Sequence, residues 1–494
     1  MPAERHGDPV ATLDTVAVSR RSLSLRSMAQ LLMRILGAAL GVGVAAVLAR
    51  GLSTEEFGTL SLALTLASTG VALTDLGITQ IAVREMARTP EVRAEIAAGL
   101  ILGRSVLGVL AMIAMTGIGV LITDGTSARI AVMIVLSTLA LTGLGSASAI
   151  AQSRLRPDVA SAVVLVQNVV WLGLAALLAL TNATLVEFSI AFVVSNIVQA
   201  VIFAVVTRRL VTVDWSNAVA SAISMARAGL PFGVAALCVT AYYRFNGMIL
   251  YSSRGATEAA YFSAAFRFID ALQIIPATVG FVLTPLLAVR SRDGRNSDAV
   301  TRGAAFATRI LLLFVIPVVS IGSAVSATVV DVIYGETFVP TGAVLPILLV
   351  SFVFISLGYI VNSLVVSCGE FRIYLAIVAA IAVLNVLANW VAIPRFGAVG
   401  AAWTAVATEV ALVVSVYLAL YIRRNLSAPI GVFARFAAAG AVTYAVATVT
   451  NGLYGPYAAF ALGAIAYCVL VIALRLVARA DVTTIVSTKH EADV

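Results

Sequence analysis

The chain has 494 residues, of which 61% are hydrophobic and only 11% are charged, and its mean hydropathy is +1.04. Soluble domains carry about 25% charged residues, so this composition excludes a soluble enzyme and predicts a protein that crosses a membrane many times. The formal net charge of +8 would suit nucleic acid or an anionic membrane surface, and the positions of the charges decide between these partners.

Fourteen apolar segments long enough to span a bilayer follow a polar tail at 1–22. A membrane-crossing helix needs about 20 apolar residues, and the first segment is longer than a signal-peptide core, so we expect it to remain as a spanning helix. The predicted spans lie near 27–50, 57–83, 95–122, 128–151, 158–180, 184–207, 226–251, 258–288, 303–330, 341–366, 372–393, 398–422, 430–450 and 456–477. The predicted fold is therefore an all-α polytopic membrane protein with about 14 transmembrane helices.

The basic residues fix the expected orientation, because arginine and lysine accumulate in cytoplasmic loops. With a cytoplasmic N-terminus, 22 of the 32 basic residues fall in inner segments, and the outer loops hold only Arg50, Arg129, Arg254 and Arg395. Both termini are thus predicted to be cytoplasmic. This topology also explains the positive net charge, so no nucleic-acid partner is expected.

A polar connection after six predicted helices divides the chain. We expect an N-lobe at 23–207 (helices 1 to 6), a cytoplasmic linker at 208–225, and a C-lobe at 226–422 (helices 7 to 12). Two further helices occupy 423–478, and a cytoplasmic tail follows at 479–494. Two six-helix lobes around a central cavity would place a substrate path between them.

Metal, disulfide and nucleotide chemistry find no support in the sequence. The three cysteines are scattered through apolar segments, and both histidines lie in the tails. This distribution excludes a disulfide framework and a Cys/His metal site, and no phosphate-binding GxxxxGK[ST] loop is present. We expect no cofactor and no metal.

Six arginines lie inside predicted spans, where a charge costs roughly 2.5 to 3.5 kcal/mol and therefore faces a partner or a wet cavity. They are Arg34, Arg104, Arg244, Arg267, Arg309 and Arg435. The last two and Arg104 are near predicted cytoplasmic helix ends, where the side chain can reach the headgroups. Arg34, Arg244 and Arg267 are the candidates for a cationic cavity.

Five stretches in order resemble the polysaccharide transporter branch of the multidrug/oligosaccharidyl-lipid/polysaccharide exporter superfamily, which contains the O-antigen and exopolysaccharide flippases. They are LARGLSTEEFGTLSLAL (48–64), TDLGITQIAVREMAR (74–88), RFNGMILYSSRGATEAAYFSAAFRFID (244–270), IYGETFVPTGAVLPIL (333–348) and IPRFGAVGAAWTAVATE (393–409). Related proteins often read Arg-x-Asp in helix 7. This chain has Arg244, Phe245 and Asn246 there, which puts an ion-coupling role for that position in doubt.

The resemblance implies a non-enzymatic function. It implies that the protein moves a polyprenyl-diphosphate-linked glycan from the inner to the outer leaflet of the bacterial cytoplasmic membrane by alternating access. Membrane lipids would surround it, and polysaccharide assembly proteins are conceivable further partners. Energy would come from an ion gradient, the membrane potential or consumption of the product.

The diphosphate of such a substrate suits guanidinium groups, which donate paired hydrogen bonds to phosphate oxygens. We therefore predict that Arg34, Arg244 and Arg267 bind it. Three acids in or near the spans are cavity acids or ion-pair partners: Asp75, Asp270 and Glu409. Asp75 could pair with Arg34, and Asp270 with Arg267 three residues earlier on the same helix face.

Neutral polar and aromatic side chains in the spans could line a glycan path. The candidates are Gln30, Tyr243, Asn246 and Gln273, with Tyr242, Tyr261 and Trp403 as further aromatic residues. Hydrogen bonding between helices or anchoring at the interface would explain the same residues.

Three other functions remain open at this stage. A lipid II flippase of peptidoglycan synthesis belongs to the same superfamily. A drug/cation antiporter would favour an acid-lined pocket over an arginine-lined one. A membrane glycan polymerase or ligase usually needs a sizeable outer loop with acids, arginines or histidine, and the outer loops here are short.

Overall fold

The computed structural model describes residues 20–89, 92–154, 156–280 and 297–476, and this part of the chain is helical almost throughout. In chain order the helices are α1 (Arg20–Gly51), α2 (Thr54–Asp75), α3 (Ile78–Arg88), α4 (Arg93–Ile122), α5 (Thr126–Leu136), α6 (Ala147–Ser153), α7 (Pro157–Ala179), α8 (Leu185–Leu210), α9 (Ala218–Arg254), α10 (Ala256–Leu272), α11 (Ser297–Ala324), α12 (Ser326–Tyr334), α13 (Thr341–Cys368), α14 (Phe371–Arg424), α15 (Ile430–Tyr454) and α16 (Pro456–Ala473). Short 3₁₀ turns join α5 to α6 and precede α13.

The predicted all-α membrane fold is confirmed. Eleven described helices are long and apolar enough to cross a membrane, or twelve if the bent α5–α6 segment is one span. At 1.5 Å per residue, the 54 residues of α14 extend about 80 Å and therefore hold two crossings of a core about 30 Å thick. The tail residues 1–19 and 477–494 and the end of the eighth predicted span lie outside the described residues.

The second predicted span is not one continuous helix. The chain leaves α2 at Leu76 and Gly77, whose φ angles are +38° and +76°, and α3 starts one residue later. A left-handed φ is costly for leucine, so the packing around this break must hold it. In the same way, the predicted span at 303–330 is divided into α11 and α12.

Helix α14 bends at Gly397, where φ is +57° and ψ is −138°. Side chains from α9 and α10 form hydrogen bonds with the backbone groups that are left unpaired at this bend. The Arg254 guanidinium donates to the carbonyl oxygens of Ile393 (3.4 Å) and Arg395 (3.1 Å), and the Glu258 carboxylate accepts from the Ala398 N–H at 2.9 Å. A cation at one helix end and an anion at the next helix start both suit the helix dipole.

We call α1 to α8 the N-lobe and α9 to α14 the C-lobe. Within the N-lobe, α1 packs on α7, α7 on α8, and α2 on α4 and α5. Within the C-lobe, α13 and α9 pack on α14, and α11 packs on α13. The last two helices pack on each other, and α15 also lies against α11.

The connection between the lobes is shorter than expected, because α9 is already helical from Ala218 instead of residue 226. Residues 211–217 alone are extended or turn-like. In this loop the backbone N–H of Ser216 donates to the Asp214 carboxylate at 3.0 Å and lowers its pKa.

At the Thr54 end of α2 the lobes meet through side chains, in what we call the aromatic contact. The rings of Phe57 and Phe338 lie edge to face with centroids 5.1 Å apart. The hydroxyls of Thr59 and Tyr251 are 3.1 Å apart, and the Arg50 guanidinium donates to the Val332 carbonyl oxygen at 2.6 Å. A methyl group on Gly58 would overlap the carbonyl oxygen of Ala256, so α2 and α10 are also in close approach here.

At the other end of α2 the lobes meet through backbone, in what we call the glycine contact. A Cβ on Gly229 would lie 2.8 Å from the Gly77 carbonyl carbon, and one on Gly233 would lie 2.5 Å from the Leu76 Cα. The left-handed break after α2 is thus pressed against α9. The 22 residues of α2 separate the two contacts by about 33 Å, which is the thickness of a bilayer core.

Candidate functional site

Two of the predicted arginines lie between the lobes. A small cavity of 30 Å³ is enclosed by α2, α9 and α10, and we call it the interlobe cavity. Its polar lining residues are Ser61, Thr65, Tyr243, Arg244, Ser263, Arg267 and Asp270. The structure therefore brings Arg244 of α9 and Arg267 of α10 together where the C-lobe meets the N-lobe.

Arg244 is the paired arginine of the two. Its guanidinium lies 3.7 Å from the Asp270 carboxylate and 5.9 Å from the centre of the Phe266 ring. Asp270 thus pairs across helices with Arg244 and not with Arg267 on its own helix, which was the expected partner. A carboxylate and a ring face both compensate the positive charge of Arg244, which leaves it less available to an anion.

Arg267 has no hydrogen bond or ion pair to any residue that the structure describes. It follows the start of α10 by eleven residues, which is about 16 Å of helix and half the thickness of a bilayer core. Its side chain lines the interlobe cavity and also a second cavity in the N-lobe. An uncompensated guanidinium at this depth is suited to attract an anionic group.

The second cavity, which we call the amide cavity, has a volume of 310 Å³ and lies among α1, α2, α7 and α8. Three amide side chains line it, those of Gln167, Asn168 and Asn196, together with the indole of Trp171. Sequence reasoning missed these four residues. The available signal was the spacing on α7, where Gln167 and Trp171 are one helical turn apart within an otherwise apolar run.

A third cavity of 800 Å³ contains the remaining predicted arginine. We call it the Arg34 cavity, and it is lined by α1, α3, α6, α7 and α8, with Gln30, Arg34, Gln152 and Asn168 among its polar residues. Arg34 is exposed and has no ion pair within the described chain. It lies about 25 Å along α1 from Gly51. It is therefore about 9 Å farther than Arg267 from the end of the molecule that carries the aromatic contact.

The three cavities form a row of neighbours, which we call the path, because adjacent cavities share lining residues. Asn168 lines both the Arg34 cavity and the amide cavity, and Arg267 and Ser61 line both the amide cavity and the interlobe cavity. All three arginines predicted to bind a diphosphate therefore face one path, which runs from the glycine-contact end of the molecule to its middle.

Asp75, suggested by the sequence as a partner for Arg34, makes no ion pair with it in the described part of the chain. Asp75 accepts a hydrogen bond from the Thr79 backbone N–H at 3.3 Å, and its charge acts on Arg104 of α4.

Glu409 is 3% exposed and lies away from the arginine path. It is in the second half of α14, and the Tyr243 hydroxyl of α9 interacts with its carboxylate. Tyr242, Tyr359 and Tyr374 are the other titratable side chains near it. Tyr243 thus links this buried acid to the interlobe cavity, which it also lines.

The other predicted glycan-path residues do not line the three cavities. Asn246 accepts from the Asn389 amide at 2.9 Å within a buried network that continues to Thr404 and Thr408 of α14. The Gln273 amide oxygen faces the Tyr359 hydroxyl at 3.4 Å. Of the four candidates, Gln30 and Tyr243 line the path, and Asn246 and Gln273 contact other helices.

The further aromatic candidates also have other surroundings. Tyr261 packs on Phe338 in the aromatic contact, with ring centroids 6.2 Å apart. Tyr242 stacks obliquely on Tyr243 at 4.6 Å. Trp403 is 55% exposed on the outside of α14, where an indole suits a membrane interface.

Comparisons of the sequence with known proteins agree with the resemblance noted above. The model of a family described as "Polysaccharide biosynthesis protein" matches residues 26–289. A Shigella flexneri protein whose name assigns it to O-antigen transport is 27% identical over 159 residues, which cover 32% of this chain and 37% of that protein. The chain thus spans little more than a third of this curated relative.

Comparisons of the structure extend over more of the chain. The lipid II flippase MurJ, in an inward closed conformation, has a TM-score of 0.73 with 14% identity and covers 92% of this chain and 99% of its own. An inward-facing multidrug resistance transporter of the MATE family has a TM-score of 0.60 with 16% identity, and the match covers 82% of this chain and 96% of that transporter. At these identities the likeness shows the fold alone, which this chain shares with both proteins.

Proposed function

Because the chain belongs to the polysaccharide biosynthesis protein family, we propose that it is a flippase for a polyprenyl-diphosphate-linked oligosaccharide. In this proposal it acts in the bacterial cytoplasmic membrane, with both termini in the cytoplasm, and supplies surface polysaccharide assembly. The lobes alternate between openings at the two ends of α2.

The observation that supports this function best is the position of Arg267. A diphosphate needs a cationic partner in a place that hydrocarbon would otherwise occupy, and Arg267 provides an unpaired guanidinium at mid-depth where two cavities meet. Arg34 lies deeper on the same path. A diphosphate entering beside Arg34 would move up by about 9 Å to reach Arg267, while its lipid tail stays in the bilayer.

Arg244 has a different role in this mechanism. Its ion pair with Asp270 compensates the charge of Arg244 when no substrate is present, which leaves Arg267 as the uncompensated cation of the interlobe cavity. A diphosphate at Arg267, three residues from Asp270 on α10, would repel that carboxylate and release Arg244 to bind phosphate oxygens. In this step Arg244 exchanges the Asp270 carboxylate for the diphosphate of the substrate.

The family and the fold are those of transporters and not of enzymes, and the site supports the same conclusion. The polar groups that line the path are arginines, amides and hydroxyls, with Asp270 as the one carboxylate among the described lining residues. General acid–base cleavage or transfer of a glycan requires positioned pairs of titratable groups. A path of this composition binds and conducts an anion.

The test is complementation of a strain that lacks the gene. We expect complete lipid-linked intermediates to accumulate on the cytoplasmic face of the membrane, and wild-type protein to relieve this accumulation. Replacement of Arg267 by Lys keeps the charge but removes the paired donors, and loss of hydrogen bonds to a charged group costs about 1.5 to 3 kcal/mol. We therefore expect Arg267→Lys to transport about 10- to 100-fold more slowly.

Arg435→Lys is the matched control, because Arg435 is exposed on α15 and lies outside the three cavities. It should complement like the wild type. Full activity of Arg267→Lys would refute diphosphate recognition by that side chain. Accumulation of single, unpolymerised units on the outer face of the deletion strain would refute the flippase and indicate a polymerase.

A further inference from the structure

The amide cavity has polar groups that a diphosphate alone does not need. Gln167 is buried and Asn168 and Asn196 are half-buried in an otherwise apolar part of the N-lobe, and an amide removed from water is costly unless it is hydrogen-bonded. A cavity of 310 Å³ is at the lower end of the volumes that hold small ligands, which is appropriate for one sugar ring.

Two of the amides are held in place by the protein on one side only. The Gln167 Nε2 donates to the Ser195 hydroxyl at 3.2 Å, and the Asn196 Nδ2 donates to the Phe192 carbonyl oxygen at 2.9 Å. In the part of the chain that the structure describes, the amide oxygens of both residues make no hydrogen bond, and neither does either amide atom of Asn168. These atoms form a set of acceptors and one donor, which complements sugar hydroxyls.

Trp171 provides an apolar surface beside the amides. It is 5% exposed, and its indole is held edge to face against Phe192 with ring centroids 5.4 Å apart. A site that combines a rigid aromatic ring with hydrogen-bonding groups has an apolar side and a polar side. A pyranose has the same two-sided character, with C–H groups on its faces and hydroxyls around its edge.

The charge of the cavity limits what it can bind. Arg267 is the one ionisable side chain among its lining residues, and it lies where this cavity meets the interlobe cavity. A carboxylate on a sugar ring deeper in the cavity would be desolvated without a cationic partner, which is unfavourable. The cavity therefore suits an uncharged sugar.

We propose that the amide cavity binds the first neutral pyranose of the lipid-linked oligosaccharide, the ring joined directly to the diphosphate that Arg267 holds. This inference rests on the proposed function, because it needs the diphosphate at Arg267 to place the sugar. The arginines then bind the diphosphate, and the N-lobe amides bind the first sugar. The rest of the glycan occupies the space toward Arg34.

The experiment uses the fluorescence of Trp171. Replacement of Trp215, Trp390 and Trp403 by Phe leaves it as the single tryptophan, and these three indoles are all more than half exposed. The purified full chain in lipid nanodiscs is titrated with two probes, a short-chain prenyl diphosphate that carries one uncharged hexose and the same prenyl diphosphate without the sugar. We expect both to bind, and only the first to shift the Trp171 emission.

Two variants complete the test. Asn168→Leu and the smaller change Asn168→Ala should each weaken binding of the sugar-bearing probe about tenfold and leave binding of the bare diphosphate unchanged. Equal affinity of both probes, with no emission shift and no effect of either variant, would overturn the sugar site and leave the proposed flippase intact. Failure of both probes to bind would instead overturn the proposed function, and the sugar site with it.

Discussion

The aromatic contact and the glycine contact join the same two lobes at opposite ends of α2, and they are stabilised by different groups. The aromatic contact combines ring packing with two hydrogen bonds between the lobes. The glycine contact is an apposition of backbone at Leu76, Gly77, Gly229 and Gly233. At the glycine-contact end the lobes also share apolar packing, since Met225 of α9 is buried in one cluster with Ile78 and Leu100. The aromatic contact has hydrogen bonds in addition to its packing, and these must break for that end to open.

This difference indicates which end opens first. The Arg34 cavity, the largest of the three at 800 Å³, reaches the glycine-contact end through Val83 of α3. The molecule thus has its widest cavity beside the contact with fewer bonds to lose. We infer that the glycine contact opens more readily than the aromatic contact. Substitutions at the two contacts should therefore have different effects.

The largest effect is expected from Phe338→Ala. Phe338 is fully buried and packs on Phe57 and on Tyr334, and truncation of a buried Phe costs about 3 to 5 kcal/mol. We expect a lower unfolding temperature and also separation of the aromatic contact, measured as the distance between spin labels on the exposed residues Glu55 and Ser252. The control Phe352→Ala is equally buried within the C-lobe and should lower stability without changing that distance.

An intermediate effect is expected from Gly233→Leu. A side chain here meets the backbone of Leu76, which cannot move aside, and overpacking costs about 1 to 3 kcal/mol. The glycine contact should stay open, and transport should fall by roughly 5- to 150-fold. Spin labels at the exposed residues Gln80 and Val219 report the opening.

Gly173→Leu is the control for this variant, since a Cβ at Gly173 has no neighbour within 4 Å. It should transport normally. If Gly233→Leu leaves both the label distance and transport unchanged, the glycine contact does not close during the cycle and the comparison between the two ends fails.

The smallest effect is expected from Tyr251→Phe, which removes one hydrogen bond of the aromatic contact. Thr59 keeps its second hydrogen bond, to the Glu55 carbonyl oxygen at 3.1 Å, so the cost should be near 0.5 kcal/mol, the lower limit for a hydrogen bond. A double-mutant cycle with Thr59→Val on unfolding free energy measures the coupling between the two hydroxyls. A coupling of zero would mean that they contribute nothing to holding this end closed.

Much of the fold could be predicted from the sequence because a bilayer imposes a length and a polarity on each helix. Every predicted span falls on mainly helical chain wherever the structure describes it, although those at 57–83, 128–151 and 303–330 are each divided. The break after α2 was missed because it depends on a long-range contact: the turn at Leu76 is pressed against α9, whose residues come about 150 positions later. A hydropathy pattern contains no such information.

The candidate site could be predicted in part. An arginine is conspicuous in an apolar run, so the sequence singled out Arg34 and Arg267, and each lines one of the neighbouring cavities; their role in binding stays a prediction. Pairing was harder to foresee, because Asp270 chooses Arg244 on another helix over Arg267 on its own. The amides of α7 and α8 were missed because a neutral amide in a membrane helix more often joins helices, as Asn246 does here.

The bond between Glu258 and Ala398 has a mechanical consequence. It ties the first turn of α10 to the bend of α14, and nine residues further along α10 is Arg267. If α10 slid along its own axis, this tether would break and the start of the second half of α14 would lose its partner. The bond therefore favours movement of α10 together with α14, and Arg267 would then change its position relative to the N-lobe as the C-lobe moves.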